Sequence, residues 1–258
     1  MRLLLGLVHP TEGEVFIQGR SLKTAGAALL KHIGAIIERP DLYGYLSGWD
    51  NLRLMADLSA AKISNQELYE LLELVDLKGR EQQKVKGYSQ GMKQRLGIAI
   101  AMAHNPDLLV LDEPTNGLDP QGIAQMRQLI LHLSKERGKT VLISSHLLYE
   151  IEQIADYMLI IHKGRKMVEG PVRELLHADE TLIEMHCRPH AGLQALIAAS
   201  AWQPYLVQVA ADYALLKMNP ARVPAFNQWL VENEVAVLQL SSRHSLEHYF
   251  LNLTQDAL

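Results

Sequence analysis

The sequence predicts an α/β fold in which helices cover both faces of a parallel sheet, followed by a small α+β appendage. Three strongly apolar, β-branched segments carry this prediction, namely residues 108–112, 140–144 and 157–161. Strands that are apolar on both faces and alternate with helices are typical of parallel sheets covered on both sides. Residues 121–137 have helical periodicity and end at Gly138, so they join the first two segments into a βαβ unit.

Helical patterns also fill the region from about residue 50 to residue 105, which we expect to form a helical subdomain set between strands. Residues 64–77 begin with Ser64 and Glu67 at capping-box spacing, and leucines then repeat at helical intervals. A second helix is predicted over residues 91–104, and it ends before an Asn-Pro pair because proline disfavours helix in the residue ahead of it.

A change of character after Gly164 marks the start of the appendage. Lys163 and Gly164 are predicted to turn a hairpin between residues 159–162 and 166–169. Short strands and helices are then predicted to alternate over residues 181–186, 193–201, 205–209, 213–218, 223–232 and 235–240. We therefore divide the sequence into a main domain, residues 1–170, and an accessory α+β domain, residues 171–258.

Composition and charge disfavour several classes of protein. Lys and Arg total 25 and Asp and Glu 29, and the net charge of −4 disfavours a general nucleic-acid binder. A single cysteine, Cys187, permits no internal disulfide, which favours a reducing compartment such as the cytosol. The apolar run of residues 1–8 is too short for a secretory signal. Residues 13–18, which follow it, are predicted to form a short strand. No apolar stretch approaches the ~20 residues that cross a bilayer, so we expect any membrane role to come through a partner.

Two acidic residues, Asp112 and Glu113, end the first apolar strand. This position places them at the carboxyl edge of a parallel sheet, where ligands bind in open α/β folds. Asp112 is then suited to hold Mg²⁺ on phosphates, directly or through water, and Glu113 to polarise an attacking water. The alternative is that the acidic pair only caps the turn that follows the strand.

Two further positions suit a phosphate ligand. Ser89 and Gly91 stand at the predicted start of a helix, where a hydroxyl, free backbone N–H groups and the helix dipole converge. His146 follows the strand at residues 140–144, on the same sheet edge as the acidic pair. The alternatives are an ordinary helix N-cap at Ser89 and an ordinary loop histidine at residue 146.

In their order and spacing these elements resemble the nucleotide-binding subunit of ATP-binding cassette (ABC) transporters. Four motifs carry the resemblance: the signature motif at residues 88–92, the Walker B strand at residues 108–113, the D-loop at residues 116–119 and the switch histidine His146. The resemblance covers about residues 1–170. The tail at residues 245–254 resembles the appendage of the drug-resistance and bacitracin-export branch. The implied fold is that of a P-loop NTPase cassette with a helical signature subdomain.

The resemblance implies a head-to-tail dimer of cassettes with ATP and Mg²⁺ at the interface. Asp112, as a metal ligand, and Glu113 and His146, as general base and γ-phosphate contact, would act on the nucleotide of their own subunit. Ser89 and Gly91 would contact the nucleotide held by the other subunit. Asp119 would link the two sites across the interface.

Glu38 stands where most of the family has a glutamine that senses Mg²⁺ and the membrane partner, and its carboxylate is also suited to Mg²⁺. The implied partner is a transmembrane permease, which would hold the subunit on the inner face of the cell membrane and choose the exported substrate. Aromatic residues at positions 43, 45 and 49 follow Glu38; they either form part of the groove that receives a permease helix or pack on the helical subdomain.

The sequence departs from the family in its phosphate loop. No G-x-x-x-x-G-K-S/T string occurs, and Gly138-Lys139-Thr140 imitates only its end, at a predicted helix C-cap. Gln90 and Met92 also replace the usual third and fifth signature residues. We expect a chain that lacks roughly 40 residues of a cassette, including its N-terminal strands, and that has no ATPase activity as it stands. The alternatives to a transporter ATPase are a non-enzymatic remnant and a soluble ABC protein acting on ribosomes or DNA.

Overall fold

The computed structural model describes residues 1–59, 62–176 and 181–243. The chain divides into two compact units, Met1–Glu150 and Ile151–Leu258. This division precedes the domain boundary at residues 170 and 171 that we expect from the sequence. The hairpin formed by residues 157–171 accounts for the difference, because its two strands pair with each other inside the second unit. The extent of the main domain, residues 1–170, stays a prediction.

The elements of the first unit alternate between short strands and longer helices. In chain order they are β1 (Phe16–Ile17), β2 (Arg20–Ser21), α1 (Leu22–Ala25), α2 (Ala27–Leu30), β3 (Ile33–Ile36), α3 (Gly48–Leu58), α4 (Asn65–Leu74), α5 (Gln90–Met102), β4 (Leu108–Asp112), α6 (Pro120–Lys135) and β5 (Thr140–Ser144). A further helix, α7 (Leu148–Ile154), crosses the division between the units.

The central element of the first unit is a parallel sheet with the strand order β3-β4-β5. Leu109, Val110 and Leu111 of β4 are completely buried, which confirms the prediction of a strand that is apolar on both faces. Both β4 and β5 have the predicted bounds. In the described part of the chain no strand pairs with the edge of β5 that faces away from β4.

Strand β3 is an element that the sequence pattern did not predict. Its four residues, Ile-Gly-Ala-Ile, are too few for a periodicity, and Gly34 weakens the strand pattern further. The structure explains this glycine, because a Cβ at Gly34 would lie 2.2 Å from the carbonyl oxygen of Ala101 in α5. The close approach of α5 to β3 therefore requires a residue without a side chain.

The helix starts follow the capping rules. Ser64 accepts a hydrogen bond from the backbone N–H of Glu67 (3.2 Å), and the Glu67 carboxylate accepts one from the N–H of Ser64 (2.8 Å). This reciprocal pair confirms the predicted capping box of α4. Ser47 and Asp50 form a second capping box at the start of α3, which the sequence analysis did not predict.

The second unit begins with an antiparallel hairpin of β6 (Tyr157–His162) and β7 (Arg165–Pro171). Lys163 and Gly164 both have positive φ at its tip, so the predicted turn is confirmed. The prediction that residues 157–161 join the parallel sheet is wrong, because β6 pairs with β7 in the antiparallel direction. An apolar strand next to a two-residue turn takes the nearest partner along the chain.

The rest of the second unit is an antiparallel sheet with helices, as predicted for the appendage. Its elements are α8 (Val172–Leu176), β8 (Thr181–Cys187), α9 (Leu193–Ala198), β9 (Leu206–Val209), β10 (Tyr213–Met218), α10 (Val223–Glu232) and β11 (Val237–Arg243). The sheet has the strand order β11-β8-β10-β9, and Phe226 and Leu230 of α10 are completely buried in its core. Cys187 lies in the same core, where burial raises the pKa of its thiol. The tail at residues 245–254, part of the predicted resemblance, lies outside the described residues.

Candidate functional site

The predicted site residues of the central sheet lie at one edge. Because β3, β4 and β5 are parallel, their carboxyl ends meet there, and Asp112 pairs directly with Ser144. Glu113 and His146 follow the ends of β4 and β5. Glu38 follows the end of β3, which is in register with β4 up to Ile36.

Asp112 is held by one of its two carboxylate oxygens. The hydroxyl of Ser144 donates a hydrogen bond to Asp112 Oδ1, and Asp112 Oδ2 has no hydrogen-bond partner among the described residues. Oxygen ligands of this kind suit Mg²⁺, which usually takes one or two carboxylates and completes its shell with water and substrate phosphates. No cluster of three or more His, Cys, Asp or Glu side chains in the described part of the chain could hold a metal ion. The Asp112 carboxylate oxygen that Ser144 leaves open fits one ligand position of such an ion.

The side chains of the two predicted catalytic residues, Glu113 and His146, are in contact. His146 Nδ1 lies 2.8 Å from Glu113 Oε2, and the Glu113 side chain is 29% exposed. The turn after β4 is closed by backbone groups, since the N–H of Asn116 donates to the carbonyl of Glu113 (3.1 Å). The Glu113 carboxylate is thus free of a capping role, partly accessible to water and in contact with the histidine.

The backbone of Glu113 is strained. Its φ of 50° lies in the left-handed region, which costs a non-glycine residue about 1–3 kcal/mol and often occurs at functional sites. The Glu113 N–H donates to both the carbonyl oxygen (3.2 Å) and the hydroxyl oxygen (3.1 Å) of Ser144. These two hydrogen bonds hold the strained conformation against β5.

The start of α5 and the turn before α6 form a second group of predicted site residues. Ser89 caps α5 by accepting from the N–H of Met92 (3.2 Å), and Asp119 caps α6 by accepting from the N–H of Gly122 (2.8 Å). A Cβ placed on Gly91 would lie 3.8 Å from Leu118 Cδ2, so the two helix starts are neighbours. Within its own chain Ser89 is therefore an N-cap residue, as the alternative interpretation predicts.

Glu38, which follows the end of β3, contacts Arg2. Its carboxylate accepts a hydrogen bond from the Arg2 guanidinium, and both side chains are more than half exposed. The residue has a positive φ of 63°. An exposed ion pair of this kind contributes little stability. Arg2 would therefore compete only weakly with a metal cation for the Glu38 carboxylate.

Comparison with known proteins agrees with these motifs. A family model described as ABC transporter matches residues 1–116. The chain is 37% identical over 255 residues to the ABC transporter ATP-binding protein YhcH of Bacillus subtilis, covering 98% of this chain and 82% of the relative. It is 39% identical over 261 residues to the bacitracin transport ATP-binding protein BcrA of Bacillus licheniformis, covering 98% and 83%.

The chain belongs to the ABC transporter ATP-binding proteins. It is an ATP-binding subunit of an ABC transporter and, by family, an ATP hydrolase, which confirms the sequence-based identification. Solved structures agree: an ATP-binding subunit of an ABC transporter aligns with a TM-score of 0.58 and 30% identity over 67% of this chain and 73% of that chain. The dimeric cassette MJ0796 bound to ADP and phosphate aligns with a TM-score of 0.58 and 27% identity over 67% and 78%.

The aromatic residues after Glu38 differ in their packing in this ABC subunit. Trp49 stacks on Tyr69 of α4 with ring centroids 4.2 Å apart, so it packs on the helical segment. Tyr43 and Tyr45 contact each other edge to face and are 42% and 68% exposed. We call Tyr43 and Tyr45 the tyrosine surface. None of the described helices is long and apolar enough to cross a bilayer.

Two residues that shape these surfaces were not predicted from the sequence. Asn51 is completely buried and donates to the carbonyl oxygens of Tyr43 (3.0 Å) and Ser47 (2.8 Å), which fixes the loop that carries the tyrosine surface. Ser144 contacts both acidic residues of the sheet edge. A polar residue directly after the apolar run Val-Leu-Ile was the available signal for Ser144.

The first residue of the signature motif is a structural residue. Tyr88 is buried, its hydroxyl donates to the carbonyl of Arg80 (2.7 Å), and burial raises the pKa of its phenol. A Cβ at Gly48 would lie 2.2 Å from the Tyr88 hydroxyl oxygen, so α3 and the signature segment pack closely. Tyr88 therefore anchors the segment that contains Ser89 and Gly91.

Proposed function

We propose that Glu113 is the general base of ATP hydrolysis and that His146 contacts the γ-phosphate and the attacking water. The observation that carries this proposal is the 2.8 Å contact between His146 Nδ1 and Glu113 Oε2, two residues that follow different strands. A carboxylate that is one hydrogen bond from an imidazole and partly open to solvent is well placed to accept a proton from water.

Asp112 is the proposed Mg²⁺ ligand of the site, through the carboxylate oxygen that Ser144 leaves unoccupied. Glu38 is proposed as a second ligand, released from Arg2 when the metal enters. The metal ion, when bound, neutralises charge on the nucleotide phosphates. Asp112 then fixes the position of the nucleotide relative to Glu113, the next residue in the chain.

Ser89, Gly91 and Asp119 are proposed to meet the ATP of a second cassette in a head-to-tail dimer. Their support is the shared position of the starts of α5 and α6, together with the backbone N–H groups that a helix start offers to an anion. Arg95 Nη1 donates to Gln125 Oε1 (2.6 Å), which links α5 to α6 and keeps the two starts together.

The membrane partner is proposed to be a separate permease that contacts the tyrosine surface. Exposed aromatic side chains are typical anchors of protein interfaces. The subunit would then lie on the cytoplasmic face of the cell membrane without spanning it. Two similar proteins are named for the transport of bacitracin and of a lantibiotic, which supports export as the direction of transport.

The test uses the full gene product that contains these residues, co-expressed and purified with its membrane subunit. We expect Glu113→Gln to lower ATP turnover by at least about 100-fold, because the amide cannot accept the proton from water. A nucleotide-bound dimer should accumulate in this variant. The control is Glu136→Gln, which replaces an exposed carboxylate that pairs with His132.

A wild-type complex without ATP turnover would contradict the catalytic proposal and support the non-enzymatic alternative. Equal turnover in Glu113→Gln and Glu136→Gln would show that another group is the general base.

A further inference from the structure

Ser144 occupies an unusual position between the two acidic residues of the site. It is the last residue of β5, directly opposite Asp112, and it lies two residues before His146. Its hydroxyl donates to Asp112 Oδ1 and accepts from the backbone N–H of Glu113 (3.1 Å). A single hydroxyl thus contacts the proposed metal ligand and the proposed general base together.

The direction of these hydrogen bonds follows from the groups involved. The Glu113 N–H can only donate, and the ionised carboxylate of Asp112 can only accept. The hydroxyl oxygen must therefore accept from Glu113 and point its single proton at Asp112. The chain of hydrogen bonds fixes the rotamer of Ser144 and, through it, one oxygen of Asp112.

The same hydroxyl acts on the strained residue of the site. The backbone carbonyl of residue 144 also accepts from the Glu113 N–H, but any amino acid supplies that carbonyl. The serine side chain adds a second acceptor for a residue whose φ is 50°. The backbone conformation of Glu113 sets the direction of its side chain. The contact between Glu113 and His146 therefore depends on that conformation.

We infer that Ser144 is a positioning residue for ATP hydrolysis, which orients Asp112 toward the metal ion and Glu113 toward the attacking water. This inference rests on the proposed function of Glu113 and Asp112. It adds that the hydroxyl, and not merely a small residue at position 144, is required. Loss of a group that orients a metal ligand commonly reduces metal affinity or activity by about 10- to 100-fold.

The experiment compares Ser144→Thr with Ser144→Val in the full gene product assembled with its membrane subunit. Threonine and valine have nearly the same shape and both suit a strand, so the pair differs only in the hydroxyl. Ser144→Ala, which removes the hydroxyl without adding volume, is measured against wild type. Thr140→Val makes the same exchange at the other end of β5 and is the control.

Four quantities are measured for each variant: kcat for ATP hydrolysis, KM for ATP, the affinity for Mn²⁺ in the presence of ATP by electron paramagnetic resonance, and the thermal unfolding midpoint. We expect kcat and Mn²⁺ affinity to fall about 10- to 100-fold in Ser144→Val relative to Ser144→Thr, and in Ser144→Ala relative to wild type. KM for ATP should change little, and Thr140→Val should match wild type.

Equal kcat and Mn²⁺ affinity in Ser144→Thr and Ser144→Val, or a normal Ser144→Ala, would overturn the inference. So would a change confined to the unfolding midpoint, or the same loss in Thr140→Val. If wild type is active, Glu113→Gln is inactive and the Ser144 variants are normal, only this inference fails. If wild type has no turnover, the proposed function itself fails.

Discussion

Glu113 combines a strained backbone with a functional side chain. The conformation is stabilised from outside the residue, by two acceptors on Ser144 in the neighbouring strand. Natural structures keep such strain where the surroundings over-determine it. The carboxylate gains from this arrangement a fixed position 2.8 Å from His146.

Gly91 offers a test of the proposed cross-dimer contact at the scale of one residue. A Cβ there would meet Leu118 Cδ2 at 3.8 Å and Ser89 Oγ at 4.0 Å, which are ordinary contacts. Alanine is also the better helix former, by up to about 1 kcal/mol. We expect Gly91→Ala to keep or raise the unfolding midpoint and to weaken ATP-dependent association of two cassettes at least about tenfold, or 1.4 kcal/mol.

Analytical ultracentrifugation with ATP, in the Glu113→Gln background, measures this association. Gly44→Ala is the control, because its Cβ would also make only ordinary contacts (3.7 Å and longer) and it lies outside the site. Unchanged association in Gly91→Ala would place residue 91 outside the interface.

At the scale of elements, helix starts do much of the positioning. Ser64 starts α4, Ser89 starts α5 and Asp119 starts α6, each through a side-chain oxygen that accepts a backbone N–H. Such caps satisfy N–H groups that have no partner within the helix. At Ser89 and Asp119 the same geometry leaves further N–H groups facing the proposed interface.

The capping box of α4 predicts a pH dependence. Hydrogen bonds from the backbone and then the side chain of Ser64 lower the pKa of Glu67 below its ordinary value of 4.5. A carboxyl whose pKa is lowered by folding contributes stability at pH above its unfolded pKa, and this stability is lost as pH falls through the folded pKa. We expect the urea concentration at the unfolding midpoint of wild type to decrease as the pH is lowered below 4.5, partly for this reason.

Glu67→Gln should lack this component, because the amide oxygen can still accept from Ser64 without titrating. At pH 7 the free energy of unfolding of wild type should exceed that of Glu67→Gln. This difference should become smaller as the pH is lowered from 5 to 3. Urea unfolding at a series of pH values measures it. Glu70→Gln, on the same helix but outside the capping box, retains Glu67. Its difference in unfolding free energy from Glu67→Gln should therefore also become smaller as the pH falls. A constant difference between wild type and Glu67→Gln would contradict the prediction.

At the scale of the whole molecule, the two units divide the tasks. Met1–Glu150 holds the parallel sheet, the site residues and the tyrosine surface. Ile151–Leu258 holds an antiparallel hairpin and a separate core around Phe226. All of the residues that we assign to ATP hydrolysis therefore belong to the first unit.

The tyrosine surface leads to a prediction about assembly. Tyr45 is 68% exposed, so Tyr45→Ser should change the free energy of unfolding by no more than about 0.5 kcal/mol. Loss of an aromatic anchor from an interface costs about 2 kcal/mol or more, so binding to the permease should weaken clearly. Co-purification with the membrane subunit measures this. Tyr157→Ser, which removes another exposed tyrosine, should leave the binding unchanged.

If Tyr45→Ser and Tyr157→Ser retained the permease equally well, the tyrosine surface would not be the contact. A fall in both would indicate a general loss of surface contacts instead.

Much of the fold could be predicted because its determinants are local. The bounds of β4 and β5 follow from runs of apolar residues, and the start of α4 follows from Ser64 and Glu67. The order of the motifs from Tyr88 to His146 was enough to identify the family. Strand β3 was missed because Gly34 is explained by contacts with Ala101 and Leu109, both far along the chain.

The sequence by itself thus determined the family, the two acidic residues at the end of β4 and the residues that start the helices, since each depends on neighbours along the chain. The tertiary structure alone decided which groups meet: β3 with β4, Glu38 with Arg2, Trp49 with Tyr69, and Ser144 with both Asp112 and Glu113. The physical reason is that strand pairing and side-chain contact join residues distant in sequence, which no local pattern records.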